Sequence, residues 1–190
     1  LSKRVLGEEH PETVDAMSAM GLFLMDSADY ARATQTLNEV LAINSRLRGP
    51  RHAYVGNDLE NLGRLALRQS QYPEAHARFQ QALSIYTEKL PPSHGWIASV
   101  WTMIGRAHLG AKDAAAAERA FTNALNVWRM EYGVDSIGYA LAEALRARAW
   151  MMQGRYDDAE AALTRAYPIV SRSDGRADRE IALEMRDWIG

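Results

Sequence analysis

Hydrophobic and small residues follow two periods along the chain. At short range, apolar residues recur every three or four positions, the spacing of an amphipathic α-helix, in paired segments separated by short turns. At long range, the whole pattern returns with a 42-residue period. Three sets of positions share this step: Gly21, Gly63, Gly105 and Ala147; Ala33, Ala75, Ala117 and Ala159; and Leu37, Phe79, Phe121 and Leu163. A fixed period of about 20 to 50 residues predicts a stack of similar helical units.

Each unit is predicted to contain two helices, which we call helix A and helix B. In the second unit, helix A spans residues 57–69 and helix B spans about residues 73–89. Clusters of Gly and Pro separate one unit from the next. The predicted units are residues 8–49, 50–91, 92–133 and 134–174, all approximate. No stretch alternates with a period of two, so the sequence indicates an all-α fold.

The C-terminal tail departs from the repeat. A polar stretch at residues 171–178 is followed by Ile181, Met185, Trp188 and Ile189, which mark one more amphipathic helix at about residues 177–189. Terminal units of a helical stack need an atypical element to cover the open end. This helix is interpreted either as that cap or as the first helix of a fifth unit.

The repeat resembles the tetratricopeptide pattern: a small residue in helix A, then Ala and an aromatic or Leu in helix B. With its 42-residue period, it is similar to the kinesin light chain type. Residues 5–13, Val-Leu-Gly-Glu-Glu-His-Pro-Glu-Thr, match the junction of that type, and residues 154–160 match its helix B start. The resemblance covers residues 5 to about 170 and implies a right-handed α-solenoid with a C-terminal capping helix. The fourth unit departs from the pattern at Glu143 and Arg146, where the family has apolar residues.

Composition and the absence of known motifs reduce the number of function classes that fit the chain. The chain has 22 Lys and Arg against 24 Asp and Glu, a net charge of -2, which disfavours nucleic-acid binding. It has no cysteine, which fits a reducing, cytoplasmic location, and no apolar run long enough for a membrane span. No catalytic motif or cofactor-binding loop is found, so we expect neither enzymatic activity nor a cofactor. The first residue is Leu1, and we interpret the chain as part of a longer protein.

Candidate binding residues come from the resemblance, because tetratricopeptide arrays bind peptides in a concave groove lined by their A helices. The implied peptide-binding positions are Asn57, Asn61, Arg64, Arg68, Thr102, Arg106 and Arg148. In the second unit their spacings of four, three and four place them on one helical face, independently of the resemblance.

Three of these arginines, Arg64, Arg106 and Arg148, follow one another at steps of a full period. On packed helices they would form a short ladder of guanidinium groups suited to carboxylates or phosphates. The alternative interpretation is three solvated arginines. His10, His52 and His94 share the same step, but equivalent positions in successive units cannot converge on one metal ion. We therefore expect these histidines to lie beside helix N-termini.

The leading hypothesis is a non-enzymatic module that binds a protein or peptide partner carrying acidic groups. The second is a regulatory or sensor region of a larger signalling protein, such as a kinase or transcription regulator, that binds its own effector domain. A third is weak self-association through an incompletely covered end near Trp188.

Overall fold

The computed structural model describes residues 10–173, 181–183, 185, 186 and 188. Within these residues the fold is all-α and contains no strand, as predicted. The eight helices are α1 (Pro11–Asp26), α2 (Tyr30–Arg48), α3 (Ala53–Arg68), α4 (Tyr72–Lys89), α5 (Gly95–Gly110), α6 (Ala114–Tyr132), α7 (Ile137–Met152) and α8 (Tyr156–Val170). The odd-numbered helices are the A helices and the even-numbered ones are the B helices. Residues 5–9 of the predicted first junction, and residues 177–180, 184, 187 and 189 of the predicted cap, lie outside the described residues.

The helices form two compact units, one up to Leu90 and one from Pro91. In the first unit, the hairpins α1–α2 and α3–α4 pack on each other through α2 and α3 and through the two A helices. In the second unit, α5–α6 and α7–α8 pack in the same way. Each unit therefore buries the apolar faces of its helices against neighbouring hairpins, which is how repeats of this size gain a core.

Histidine caps three of the A helices. Nδ1 of His10, His52 and His94 accepts a hydrogen bond from the backbone N–H two residues later, at 3.3, 3.2 and 3.1 Å. Ser136 takes this role before α7, where its hydroxyl accepts from the N–H of Tyr139 at 3.4 Å. A side-chain acceptor at this position satisfies one of the free N–H groups of the first turn.

The prediction that helix A of the second unit begins at residue 57 is wrong by one turn, because α3 begins at Ala53. Histidine is not among the residues that usually signal an N-cap. The junction histidines do lie beside helix N-termini, as predicted, but the helix after His52 starts earlier than residue 57.

The turn inside each hairpin has a repeated backbone conformation. One residue adopts a left-handed φ in every turn: Ala28 at 59°, Ser70 at 58°, Lys112 at 62° and Gly154 at 77°. These four residues are again spaced by one period. Non-glycine residues reach this region at a cost of roughly 1 to 2 kcal/mol, so helix packing must hold the first three turns in place.

The tightest contacts join helix A to helix B within a hairpin. A Cβ atom added to Gly63 would lie 2.6 Å from Cε1 of Phe79, and one added to Gly21 would lie 2.7 Å from Cδ2 of Leu37. Gly105 is in the same close contact with Phe121. Phe79 and Phe121 are fully buried and therefore cannot move aside cheaply. In the fourth hairpin the equivalent pair is Ala147 and Leu163, and both are buried.

Part of the C-terminal tail is also helical. Residues 181–183, 185, 186 and 188 are in helical conformation. Met185 is fully buried, and Ala182 is 9% exposed, in a cluster that includes Ala140 and Ala144 of α7. Trp188 is partly buried against the same cluster. The tail therefore covers apolar surface of the last hairpin.

We expect Gly63→Ala to destabilise the first unit. The added methyl group overpacks the Phe79 contact, at a cost of about 1 to 3 kcal/mol, which outweighs the gain of roughly 1 kcal/mol in helix propensity. The double variant Gly63→Ala/Phe79→Leu reproduces the Ala147–Leu163 pair and should be more stable than the two single variants predict by addition. Urea denaturation of all four proteins measures this coupling. Additive losses would show that the ring contact does not require glycine.

Candidate functional site

Two of the four predicted positions on α3 are exposed arginines. Arg64 is exposed and makes no ion pair with any described residue. Arg68 is also exposed, and its Nη2 lies 3.4 Å from Oδ1 of Asp26, the residue one period earlier on α1. Such an exposed ion pair contributes little to stability, about 0 to 1 kcal/mol. Both side chains therefore reach solvent on the same face of α3.

The two predicted asparagines are less accessible. Asn61 is 5% exposed, and its Nδ2 donates to Oδ1 of Asn57 at 3.4 Å. Asn57 is half-buried and shares a side-chain hydrogen bond with Tyr86 of α4. A peptide that bonds to Asn61 would have to displace the contact with Asn57.

In the second compact unit, the predicted positions are again of two kinds. Thr102 is 8% exposed and donates its hydroxyl to the carbonyl of Ala98 in its own helix at 2.9 Å. Arg106 and Arg148 are exposed. The Arg148 guanidinium lies 5.5 Å from the centre of the Trp188 ring, so the C-terminal helix contacts the α7 member of the predicted ladder.

A buried polar network that the sequence did not predict connects α3 to α2. Asp58 is 3% exposed and accepts a hydrogen bond from Nδ2 of Asn44 at 2.7 Å. Nε of Arg48 donates to Oδ1 of the same asparagine at 3.2 Å. Burial raises the pKa of Asp58 to about 6; Asn44 and Arg48 act in the opposite direction, and Asp15 adds to the rise.

A second part of this network connects α3 to α4. The hydroxyl of Tyr86 donates to Oε2 of Glu60 at 3.3 Å, and both residues are buried. Burial and the adjacent Glu60 carboxylate raise the pKa of the Tyr86 hydroxyl, so it stays protonated and remains a donor. The Tyr86 ring packs against Gly56, where a Cβ would lie 2.6 Å from Cε1.

Comparison along the repeat could have revealed this network. The positions one and two periods after Asp58 are Val100 and Ala142, and both are buried. An acidic residue at a position that is otherwise apolar signals a buried charge. Burial of that charge requires polar partners, and Asn44 supplies one.

In the fourth hairpin, Glu143 and Arg146 each contact a different partner. Glu143 is buried, and Arg165 of α8 donates to it at 2.8 Å. Arg146 is half-buried with its guanidinium 4.5 Å from the centre of the Trp150 ring, and Arg155 lies 4.7 Å from the same ring. These cation–π contacts replace the apolar contacts of the usual pattern.

Trp150 also connects α7 to α6. Its indole N–H donates to Oε1 of Glu118 at 2.7 Å, and Arg155 donates to the same oxygen at 2.9 Å. Burial alone would raise the pKa of Glu118, but hydrogen bonds from Trp150, Gln153 and Arg155 lower it. This cluster serves to hold α6, α7 and the start of α8 together.

The described residues contain no group of three His, Cys, Asp or Glu side chains that could hold a metal ion. The junction histidines act as helix caps instead. Among the described residues, no helix has both the length and the apolar character that crossing a membrane requires.

Paired helices repeated at a fixed period, with exposed polar side chains on the A helices, define a helical-repeat protein. The family profile of the tetratricopeptide repeat matches residues 12–88 and 96–172. The chain therefore belongs to the tetratricopeptide repeat family, whose members are generally protein–protein interaction modules.

Solved structures support the same fold. BtubC (BKLC) from P. vanneervenii has a TM-score of 0.82 at 18% sequence identity, covering 99% of this chain and 76% of its own. A putative kinesin light chain with nearly identical TPR-like repeats from Podosopora anserina has a TM-score of 0.73 at 16% identity, covering 95% and 94%. PilF of Pseudomonas aeruginosa has a TM-score of 0.59 at 20% identity, covering 90% and 72%. The predicted likeness to a kinesin light chain fold is confirmed. No curated protein sequence matches significantly.

Asp58 should make stability depend on pH. Its pKa is about 6 in the folded protein and about 3.9 in an unfolded chain. Between these values the folded state binds more protons, so the free energy of unfolding should fall as pH rises from about 4 to 7. Asp58→Asn can still accept from Asn44 and should raise stability at pH 7.5 by about 1 to 3 kcal/mol.

Urea denaturation at pH 4.5 and 7.5 tests this expectation. Glu39→Gln, which removes an exposed carboxylate from α2, is the matched control and should keep the wild-type pH slope. An Asp58→Asn variant with an unchanged slope would contradict the assignment.

Proposed function

We propose that this chain is a peptide-binding module that captures an acidic segment of a protein partner along its A helices. The observation that carries the proposal is the register of Arg64, Arg106 and Arg148. All three are exposed on A helices at the same position of the repeat, and none of the close helix contacts of the repeat depends on them. Guanidinium groups bind carboxylates through paired, charge-assisted hydrogen bonds.

The other predicted positions have supporting roles in this proposal. Arg68 is also exposed and could exchange Asp26 for a partner carboxylate at small cost, because an exposed pair is weak. Asn57, half-buried on the same helix as Arg64, is a candidate donor to a peptide backbone. Asn61 and Thr102 lie beneath this surface and would position it rather than contact the partner directly.

Removing the arginines should abolish the acidic preference. A random peptide array probed with wild-type protein is expected to enrich peptides rich in Asp and Glu, and the best peptide is then measured by calorimetry. For Arg64→Ala/Arg106→Ala we expect the affinity to fall by about tenfold or more, since charge-assisted hydrogen bonds contribute about 1.5 to 3 kcal/mol each.

The control must remove the same charge elsewhere. Arg32→Ala/Arg119→Ala changes one exposed arginine on a B helix of each unit and should bind like wild type. Equal affinity of all three proteins, or an array without acidic enrichment, would contradict the proposal.

A regulatory role within a larger protein is the second candidate, and one contact favours it. Trp188, on the chain's own C-terminal helix, lies against Arg148. If such intramolecular contacts restrain the A-helix surface, Trp188→Ala should bind the selected acidic peptide more tightly than wild type. An unchanged or weaker affinity would argue against this role.

We also propose that helical residues 181–183, 185, 186 and 188 act as a cap, since Met185 is fully buried against the last hairpin. The cytoplasmic location stays a prediction that rests on the absence of cysteine.

A further inference from the structure

The junction between α2 and α3 has a positive charge that the repeat does not require. It contains Arg46, Arg48 and Arg51 within six residues. The equivalent positions in the next junction are Glu, Leu and Ser, at residues 88, 90 and 93, and in the last junction they are Met, Tyr and Asp, at residues 130, 132 and 135. Since the other junctions connect their helices without arginine, packing does not explain this cluster.

Two of these arginines, Arg48 and Arg51, line a cavity in the first unit. The cavity has a volume of about 490 Å³, and its lining includes Arg48, Arg51, His52 and Lys89. Ala53, the first residue of α3, is also in the lining, so the positive end of a 16-residue helix adds to the field of the side chains. The lining residues therefore come from four parts of the fold: the end of α2, the junction, the start of α3 and the end of α4.

Two of the lining side chains are held in place by other residues. Nε of Arg48 donates to Asn44 at 3.2 Å, and its guanidinium lies 4.5 Å from the centre of the Tyr54 ring. The His52 ring stacks on the same tyrosine at 5.4 Å. Nδ1 of His52 accepts from the N–H of Tyr54 at 3.2 Å, so the neutral ring carries its proton on Nε2 and can donate from there. The side chains need little further ordering to bind a ligand.

One carboxylate partly neutralises the cavity. Glu88 accepts hydrogen bonds from Nε and Nη2 of Arg51, the former at 2.8 Å, and its other oxygen lies 2.8 Å from Nζ of Lys89. These bonds hold the pKa of Glu88 below its usual range, so it is ionised at neutral pH. The three lining cations, Arg48, Arg51 and Lys89, outnumber this carboxylate, and the only other carboxylate described as acting on them is the buried Asp58, which interacts with Arg48.

We propose that this cavity is a binding site for a phosphate monoester group. A phosphate monoester carries about -1.5 to -2 charges at neutral pH, so a cavity lined by three cations attracts it. Arg48 offers the remaining donors of a planar guanidinium, His52 offers Nε2–H, and Lys89 adds a point charge. The phosphate could belong to a phosphorylated protein segment or to a small metabolite. None of Arg64, Arg106 and Arg148 belongs to the lining of the cavity.

Nuclear magnetic resonance titration at pH 7.5 and constant ionic strength tests the proposal. The probes are inorganic phosphate, a blocked phosphoserine peptide and adenosine monophosphate, with sodium chloride as the reference. We expect saturable shifts of the backbone amides of residues 49, 51, 52 and 53 with at least one phosphate probe and none with chloride. The probe with the highest affinity identifies the source of the phosphate.

Single variants distinguish phosphate binding in this cavity from peptide binding at the A-helix arginines. Arg48→Gln and, separately, Lys89→Gln should each weaken phosphate binding by about fivefold or more, whereas Arg64→Gln should leave it unchanged. Using both variants keeps the test valid if one of them fails to fold. Shifts that do not saturate, that appear equally with chloride, or that persist unchanged in the folded variants would overturn the proposal. Loss of acidic-peptide binding in Arg64→Ala/Arg106→Ala would not affect it.

Discussion

The close approach of helix A to helix B within each hairpin is the constraint on which the structure depends. At Gly63 the backbone of α3 lies so near the Phe79 ring that a single methyl group would overlap it. This contact sets the distance between the two helices. Arg64 follows Gly63 directly, about 100° further round the helix, and is exposed. The packing contact and the candidate binding residue are therefore neighbours in sequence, and a shift of one would move the other.

Buried polar pairs specify the register in which the helices pack, which apolar packing alone does not. In the first unit, α3 carries Asp58 and Glu60 into the interior, where Asn44 and Tyr86 meet them from the two flanking helices. A buried charge is costly unless it is paired, so these pairs disfavour any other register of α3 between α2 and α4. The second unit uses different residues for the same purpose, with Trp150 connected to α6. Each unit thus combines a shared packing scheme with its own polar contacts.

The repeat made most of the fold predictable, because residues that pack at every period must be similar. The predictable part includes the helical hairpins, their turns and the close glycine contacts. The start of α3 at Ala53 was missed because a histidine cap has no strong sequence signal. The burial of Asn61 and Asp58 was missed for another reason: it depends on which residues the neighbouring helices bring close, and helical spacing within α3 does not contain that information. Exposure of Arg64, in contrast, agrees with the polar face that its spacing from Asn57 and Arg68 predicted.

Residues that depart from the repeat pattern separate into two groups according to burial. Where a departure is buried, as at Asp58 or Glu143, a partner in the same unit balances its charge or satisfies its hydrogen bonds, and the departure belongs to stability. Where it is exposed and the other repeats do without it, as at Arg48 and Arg51, local bonds to Asn44 and Glu88 hold the side chain in place, but the packing shared by the repeats does not require it. A repeat fold supplies its own reference for this comparison, since each hairpin shows what the others need in order to pack. The arginines around the cavity add charge that the packing does not need, and neighbouring side chains hold them in one orientation. Such charge is the strongest indication of a ligand site in this fold.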